Sequence, residues 1–212
     1  TETAHFDEFG SAHNIVINEE TGFAYVVGTS QMNGGLVFIN IQDPANPTSA
    51  GGYDEDGYTH DAQVLIYNGP DTEYAGKEIC FASNANTLTI VDVDSKPDPT
   101  QLSRVGYDDV QYAHQGWLTE DHRYFLMNDE LDEINGDQAF TRTIIWDCQD
   151  LDAPVVIGEH FGPTEAVDHN LYIKGDLAYQ ANYRAGLRVL DISDIANADL
   201  TEIAYFDVYP AN

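Results

Sequence analysis

The chain has 212 residues, of which 42% are hydrophobic and 11% aromatic, so it contains enough apolar material for a folded core. Eight lysines and arginines oppose 37 aspartates and glutamates, which gives a formal net charge of -29. Such a surface repels nucleic acid and anionic membranes and attracts cations, so it excludes nucleic acid as a partner and favours an extracellular, cation-rich setting.

Two further features of the sequence concern membrane insertion and the state of the cysteines. No apolar stretch approaches the length of a membrane span, so we expect no direct membrane insertion in this segment. The two cysteines, Cys80 and Cys148, lie in the apolar runs EICFAS and TIIWDC. Two cysteines do not make a disulfide framework, and apolar surroundings favour small buried thiols.

A pattern of four strands recurs along the chain at roughly fifty residues, the range expected of propeller blades. The segment 4–10, AHFDEFG, resembles the fourth strands and is predicted to be an outer strand of another blade. The repeat at 11–56 then contains HNIVIN, FAYVVG, LVFINI and TSAGGYDED. The repeat at 57–109 contains HDAQVLIY, EICFAS, LTIVDV and QLSRVGYDD.

The third and fourth repeats follow the same order. The repeat at 110–162 contains HQGWLTED, YFLMND, TIIWDC and VVIGEHFG. The repeat at 163–209 contains HNLYIKGD, LAYQAN, LRVLDI and TEIAYFDVY. In each repeat the third strand is an apolar, β-branched run that ends at Asp, Asn and Pro, which favour turns, so we expect it to be buried on both faces.

These repeats predict an all-β fold, a single β-propeller domain or segment at 1–212 built from four-stranded antiparallel blades. The main competitor is a β-sandwich, but regular repetition of four-stranded meanders is the propeller architecture. The unmatched strand at 4–10 suggests that the four blades belong to a larger ring.

The third-strand runs LTIVDV and LRVLDI resemble the LVIVD repeat. The stretches SAHNIVINEETGFAYVVGT, GYTHDAQVLIYNGPD, HQGWLTEDHRYFLMNDELDE and DHNLYIKGDLAYQANYRAGLRVLDISD make the chain similar to the bacterial choice-of-anchor B family. This resemblance implies a secreted, surface-displayed propeller, in a family whose members carry different C-terminal anchors and mostly lack an established activity. The family usually has further repeats upstream of the point where this chain begins, and no anchor segment is present at this end.

A histidine opens the first strand of every repeat: His13, His60, His114 and His169. Equivalent positions in successive blades lie at equal height around the channel, so these side chains should converge at its mouth. Each is followed by a polar residue: Asn14, Asp61, Gln115 and Asn170. The loops after the second strands open on the same face and should add Asn84, Asn182 and Arg184 as ligand-binding residues, together with Asp129 and Glu130.

Three interpretations of the histidines remain open. Converging imidazoles and carboxylates suit zinc, copper, iron or manganese. The histidines can instead form a metal-free polar pocket, or bond the backbone of the next blade and fix blade packing. The segment NDELDEINGD, from Asn128 to Asp137, lacks the spacing of an EF-hand, but Asp129, Glu130, Asp132 and Glu133 could form a looser calcium site.

The sequence carries no nucleophile elbow and no phosphate-binding glycine loop, so nucleotide cofactors are not expected. The function that we predict is a secreted or cell-surface binding, adhesion or assembly module. Its partner would be a protein, a glycan or a small molecule, and its ligand site would lie at the channel mouth. The alternatives are a metal-dependent hydrolase or oxidoreductase that uses the histidine ring, and a purely structural module.

Overall fold

The computed structural model describes residues 2–136 and 138–209 and forms four sheets of four antiparallel strands each. Every sheet is a meander in chain order, so the predicted propeller class is confirmed over a sandwich with crossed connections. We number the sheets as blades one to four.

Blade one contains β1 (Asn14–Asn18), β2 (Phe23–Val27), β3 (Leu36–Asn40) and β4 (Thr48–Tyr53), and blade two contains β5 (Asp61–Ile66), β6 (Glu78–Ser83), β7 (Leu88–Asp92) and β8 (Thr100–Val105). Blade three contains β9 (Ala113–Leu118), β10 (Tyr124–Asp129), β11 (Arg142–Asp147) and β12 (Val155–Phe161), and blade four contains β13 (Asn170–Lys174), β14 (Leu177–Ala181), β15 (Leu187–Asp194) and β16 (Asp199–Phe206). One short helix, α1 (Asp132–Asn135), and 3₁₀ turns at Met32–Gly34, Tyr183–Ala185 and Ile195–Asn197 lie between strands. None of the helices in the described part of the chain has the length and apolar character that a membrane-spanning helix requires.

The same side-chain turn follows the apolar run of the third strand in every blade. The side-chain oxygens of Asn40, Asp92, Asp147 and Asp191 each accept a hydrogen bond from the backbone N–H two residues later, at 2.9, 3.0, 2.9 and 2.9 Å. This local bond gives the backbone an alternative to the sheet ladder, so the chain turns toward the fourth strand. The acidic or amide residue ends the third strand in blades one to three, whereas in blade four β15 continues past Asp191 to Asp194 after a shift in register.

The core lies between neighbouring blades. One apolar cluster joins blades one and two around Tyr25 and Val91, a second joins blades two and three around Phe81 and Trp146, and a third joins blades three and four around Leu126. Cys80 and Cys148 are buried free thiols inside these clusters, as the sequence predicted. Burial of apolar faces between blades thus replaces one central core.

The first strands lie side by side at the inner edge of the blades: β1 packs on β5, β5 on β9, and β9 on β13. No backbone ladder joins these strands in the part of the chain that the structure describes. Side chains connect them instead. The Leu118 N–H donates to the Gln63 side chain at 2.8 Å, and Gln115 both accepts from the Leu171 N–H at 2.8 Å and donates to the Leu171 carbonyl at 3.0 Å.

Blade four departs from the expectation that every third strand is buried on both faces. β3, β7 and β11 are buried almost throughout, but Leu187 at the start of β15 is exposed, as are Tyr172, Tyr179 and Tyr205 nearby. The reason is that no apolar cluster of the described residues covers this outer face with another sheet.

Residues 4–10 also differ from the expected outer strand, because they form no strand in the structure. Phe6 and Phe9 instead pack on the outer face of blade one, over Val26 and Val37. A strand requires a partner edge for its backbone groups, and none of the four described sheets pairs with this segment. Its assignment to a further blade stays a prediction.

The bonds between Gln115 and Leu171 generate a test of blade cohesion. Gln115→Ala should destabilise the protein by about 2–4 kcal/mol, because it leaves the buried Leu171 N–H and carbonyl without partners. Urea unfolding of the variant measures the loss. Gln149→Ala is the matched control, since Gln149 is exposed and bonds only to nearby Asp147, and it should change stability by less than about 0.5 kcal/mol. Equal effects of the two substitutions would contradict this account.

Candidate metal centre at the channel mouth

The four first-strand histidines form one continuous column. The ring centroids are separated by 4.0 Å between His13 and His60, 4.0 Å between His60 and His114, and 4.5 Å between His114 and His169. His60 and His114 are buried, His169 is partly buried, and His13 at the end of the column is exposed. The structure therefore brings together all four residues that the repeat placed at equal height.

Each of the two central rings is held by the backbone of the next blade. Nδ1 of His60 contacts the His114 carbonyl at 2.9 Å, and Nδ1 of His114 contacts the His169 carbonyl at 3.3 Å. A carbonyl oxygen only accepts, so Nδ1 carries the proton in both rings. Nε2 of each ring then has a free lone pair. Blade packing and ligand binding are thus compatible for these two histidines, since they use different nitrogens.

Burial keeps these two imidazoles neutral. Desolvation is the main cause that lowers the pKa of His60 to about 4, and desolvation followed by the neighbouring His60 and His169 lowers the pKa of His114 to about 3. Tyr112 packs edge-on against His60 at a centroid distance of 5.2 Å. A neutral ring with one proton donated to a carbonyl is the form in which histidine binds a metal.

Glu130 completes the cluster from the loop after β10. Its Oε2 lies 3.4 Å from Nε2 of His114, and its Oε1 lies 3.8 Å from Nε2 of His169 and accepts a hydrogen bond from the Tyr183 hydroxyl. The lone pair of His114 Nε2 and the carboxylate therefore face each other as two acceptors. A proton or a metal ion between the two atoms would turn this contact of two acceptors into a favourable one.

The donor set fits a transition metal. His60, His114 and Glu130 each offer one ligand atom, and these atoms lie within 4.8 Å of one another. Ligand atoms of tetrahedral zinc are separated by about 3.3 Å, given zinc–ligand bonds of about 2.0–2.1 Å. The contact between His114 and Glu130 already has this length, and a small closure would bring His60 to it.

Several predicted ligand residues are used in contacts within the protein. Asn14 donates to Asp61 at 2.7 Å, which joins blades one and two, and Gln115 bonds the backbone of Leu171. Asn84 donates to Asp56 at 2.9 Å. The structure thus gives these four polar residues structural contacts, and it does not bring them into the histidine cluster.

The remaining predicted ligand residues lie around blade four. Arg184 donates to the Glu165 carbonyl at 3.1 Å and lines an open cavity of about 780 Å³ that Glu130 and Tyr183 also line. Asn170 and Asn182 each have a buried side-chain oxygen without a hydrogen-bond partner. Arg184 is therefore the predicted residue that is best placed to meet a ligand beside Glu130.

The four residues of the predicted calcium loop do not converge on one site. Asp129 is fully buried and accepts from the Tyr107 hydroxyl and from the Gln111 and Tyr112 N–H groups at 2.7, 2.7 and 2.6 Å, so it fixes the 107–112 segment. Glu130 turns toward the histidines. Asp137, the last residue of the acidic segment, lies outside the described residues.

Asp132 and Glu133 meet Asp168, a residue that the sequence analysis did not single out. Burial raises the pKa of all three carboxyls, that of Glu133 to about 8, and the Glu133 and Asp132 charges raise the pKa of Asp168 further. A signal for Asp168 was present in the repeat: the residue before the first-strand histidine is Ala12, Thr59 or Ala113 elsewhere, and it is charged only here. No comparable departure from the repeat marked Tyr183 or Arg142 in the sequence.

The lowered histidine pKa values generate a pH prediction for metal-free protein. An imidazole whose pKa is lower in the folded state contributes stability that is present above about pH 6.5 and is lost as the pH falls toward the folded value. The buried carboxyls, whose pKa values are raised, act in the opposite direction. Thermal unfolding of the chain and of His114→Gln from pH 7 to pH 4 should show a smaller loss in the variant. An identical pH dependence would show that His114 is not buried in neutral form.

No curated protein sequence matches the chain. Among solved structures, a protein from Lactobacillus plantarum is similar at 14% identity and a TM-score of 0.67, over 92% of this chain and 57% of that one. The periplasmic gluconolactonase of Pseudomonas aeruginosa is similar at 10% identity and a TM-score of 0.66, over 92% and 56%. A functionally unknown protein from Desulfotomaculum acetoxidans is similar at 12% identity and a TM-score of 0.63, over 93% and 56%.

These likenesses concern the fold alone, and the chain spans a little more than half the length of the structures that it resembles. The sequence match is more specific. The LVIVD repeat matches residues 9–55, 75–107 and 169–204, which together are more than half of the chain and cover strands of blades one, two and four. The chain therefore belongs to the LVIVD repeat family.

Proposed function

We propose that this chain is an extracellular binding propeller that holds a divalent transition metal at its channel mouth through His60, His114 and Glu130. The observation that carries the proposal is the 3.4 Å approach of two acceptors, the Nε2 lone pair of His114 and the Glu130 carboxylate. A proton on His114 is disfavoured because burial lowers its pKa to about 3. A metal ion is the cation that suits imidazole and carboxylate together.

The cavity beside the cluster supports a binding role. It has a volume of about 780 Å³, and Glu130, Tyr183 and Arg184 lie along one side, with Ile134 and Ala166 among its apolar residues. Three protein ligands leave a fourth metal position for a ligand atom. The cavity would therefore take a partner with one donor group for the metal and an apolar part beside Ile134 and Ala166, from a protein, a glycan or a small molecule.

Binding is the better supported of the two candidate activities. The likeness to a gluconolactonase structure is limited to the fold at 10% identity, so it lends no support to a hydrolase or oxidoreductase. Cys80 and Cys148 are fully buried, and burial raises the pKa of both thiols, so neither is available as a thiolate nucleophile. The proposal therefore assigns the metal to ligand recognition.

The proposed location outside the cell has two supports. The net charge of -29 suits a cation-rich exterior, and the sequence resembles the choice-of-anchor B family, whose members are displayed on the surface. In such a setting the propeller would act in adhesion or surface assembly, and the metal site would face its partner through the open cavity.

Zinc titration by calorimetry, with metal analysis of the native protein, tests the proposal. We expect one zinc ion per chain, and His60→Ala with His114→Ala should weaken binding by more than about 100-fold. Glu130→Gln should weaken it in the same direction, because the amide loses the negative charge. His5→Ala is the matched control, since His5 is exposed and lies outside the column, and the variant should bind zinc normally.

Two results would contradict the proposal. One is full zinc binding by the double histidine variant, with its fold confirmed by circular dichroism. The other is the absence of any zinc, copper, iron or manganese binding by the unaltered chain. Either result would leave the histidines as residues that fix blade packing.

A further inference from the structure

A second cluster of donors lies apart from the histidines, where blade three meets blade four. Asp132 and Glu133 lie in α1, within the connection from β10 to β11, and Asp168 lies just before β13. One carboxylate oxygen from each lies within 4.8 Å of the others, and Asp132 and Asp168 are fully buried. Three carboxylates from two separate segments thus converge inside the protein.

Each of these carboxyls has one oxygen that accepts no N–H or O–H from the described residues: Oδ1 of Asp132, Oε2 of Glu133 and Oδ1 of Asp168. Their other oxygens are occupied. Oδ2 of Asp132 accepts from Arg142 Nε at 2.6 Å, Oδ2 of Asp168 accepts from the Arg142 N–H at 3.0 Å, and Oε1 of Glu133 accepts from the Asp168 N–H at 3.3 Å. The contacts within the protein therefore hold the three groups in place. The Asp132 and Glu133 carboxyls also lie within hydrogen-bonding reach of each other, and a contact between two acceptors needs a proton or a cation between them.

Asn128 is an independent indication of a ligand. It belongs to β10, it is fully buried, and its amide oxygen has no hydrogen-bond partner among the described residues. The amide lies beside the Asp168 carboxyl and favours its charged form. A fully buried amide oxygen without a partner costs about 1–3 kcal/mol, which a cation bound to that oxygen would offset.

The local charge balance has the sign that a cation needs. Arg142 is the basic side chain that contacts this cluster, and it is shared with Glu159 at 2.9 Å and with Asp129 at 3.8 Å. One guanidinium is therefore shared by three carboxyl groups, of which only Asp132 belongs to the cluster. The unused donors are all oxygens, which suit a hard cation with six to eight oxygen ligands better than they suit zinc or copper.

We propose that Asp132, Glu133 and Asp168, with the side-chain amide of Asn128, form a calcium site that fastens the β10–β11 connection to the segment that enters blade four. The site shares no residue with the cluster of His60, His114 and Glu130, so the two proposals stand independently. Calcium would bridge the two segments through the oxygens that are unused now. Its effect would be structural, because binding to the folded state alone raises stability.

Calcium titration of chelator-treated protein tests this inference, with thermal unfolding as the second readout. We expect one calcium ion per chain, and a rise in unfolding midpoint of about 5–10 °C at a calcium concentration 100-fold above the dissociation constant. Sodium chloride at matched ionic strength should not reproduce this rise. Glu133→Gln, in which the half-buried side chain keeps its size, and Asp168→Asn should each remove the calcium-dependent shift.

Two controls make the result specific. Asp71→Asn with Asp150→Asn alters another acidic group, formed with Asp152 near the surface, and should keep the shift. The His60→Ala and His114→Ala variant should also keep it, which separates this inference from the zinc site. The inference is overturned if the unaltered chain binds no calcium, because the three carboxyls would then be neutralised by protons. A shift that Glu133→Gln and Asp168→Asn leave intact would equally overturn it.

Discussion

The structure depends on hydrogen bonds that run from side chains of one inner strand to the backbone of the next. Strands within a blade are joined by ladders, but the first strands of adjacent blades are not, so their inward-facing N–H and carbonyl groups need other partners. His60 and His114, at equivalent positions of successive blades, donate to carbonyls of the next strand, and Gln63 and Gln115 accept from the Leu118 and Leu171 N–H groups. Apolar clusters then fill the space between the blades outside this inner ring.

The same bonds prepare the chemistry of the channel mouth. The carbonyl of His114 orients the His60 ring and fixes its proton on Nδ1, and the carbonyl of His169 does the same for His114. Burial between blades lowers the pKa of both rings, so the lone pairs on Nε2 stay available. Glu130 reaches these lone pairs because Asp129, its neighbour, is fixed by the backbone of Gln111 and Tyr112. Packing and proposed function are therefore two uses of one arrangement.

The sequence predicted the fold and the histidine column because both follow from repetition. Equivalent residues of similar blades occupy equivalent places, and the side-chain turn at Asn40, Asp92, Asp147 and Asp191 recurs with the apolar run that precedes it. Residues that break the repeat were harder to place. The contact of Asp168 with Asp132 and Glu133 joins an insertion of one blade to the entry of the next, and no periodic pattern encodes such a contact. The use of Asn14 and Asn84 inside the protein also depended on single partners, Asp61 and Asp56.

Native-state hydrogen exchange at the Leu118 and Leu171 amides tests the role of the inner side chains most directly. Both N–H groups donate to glutamine side chains of a neighbouring strand, outside any ladder. If these bonds hold the blades together, both amides should exchange as slowly as amides in the centre of a sheet, since they would open only when blades separate. Exchange of Leu118 and Leu171 as fast as that of amides in the exposed turns would contradict the account, because the inner strands would then be held by apolar packing alone.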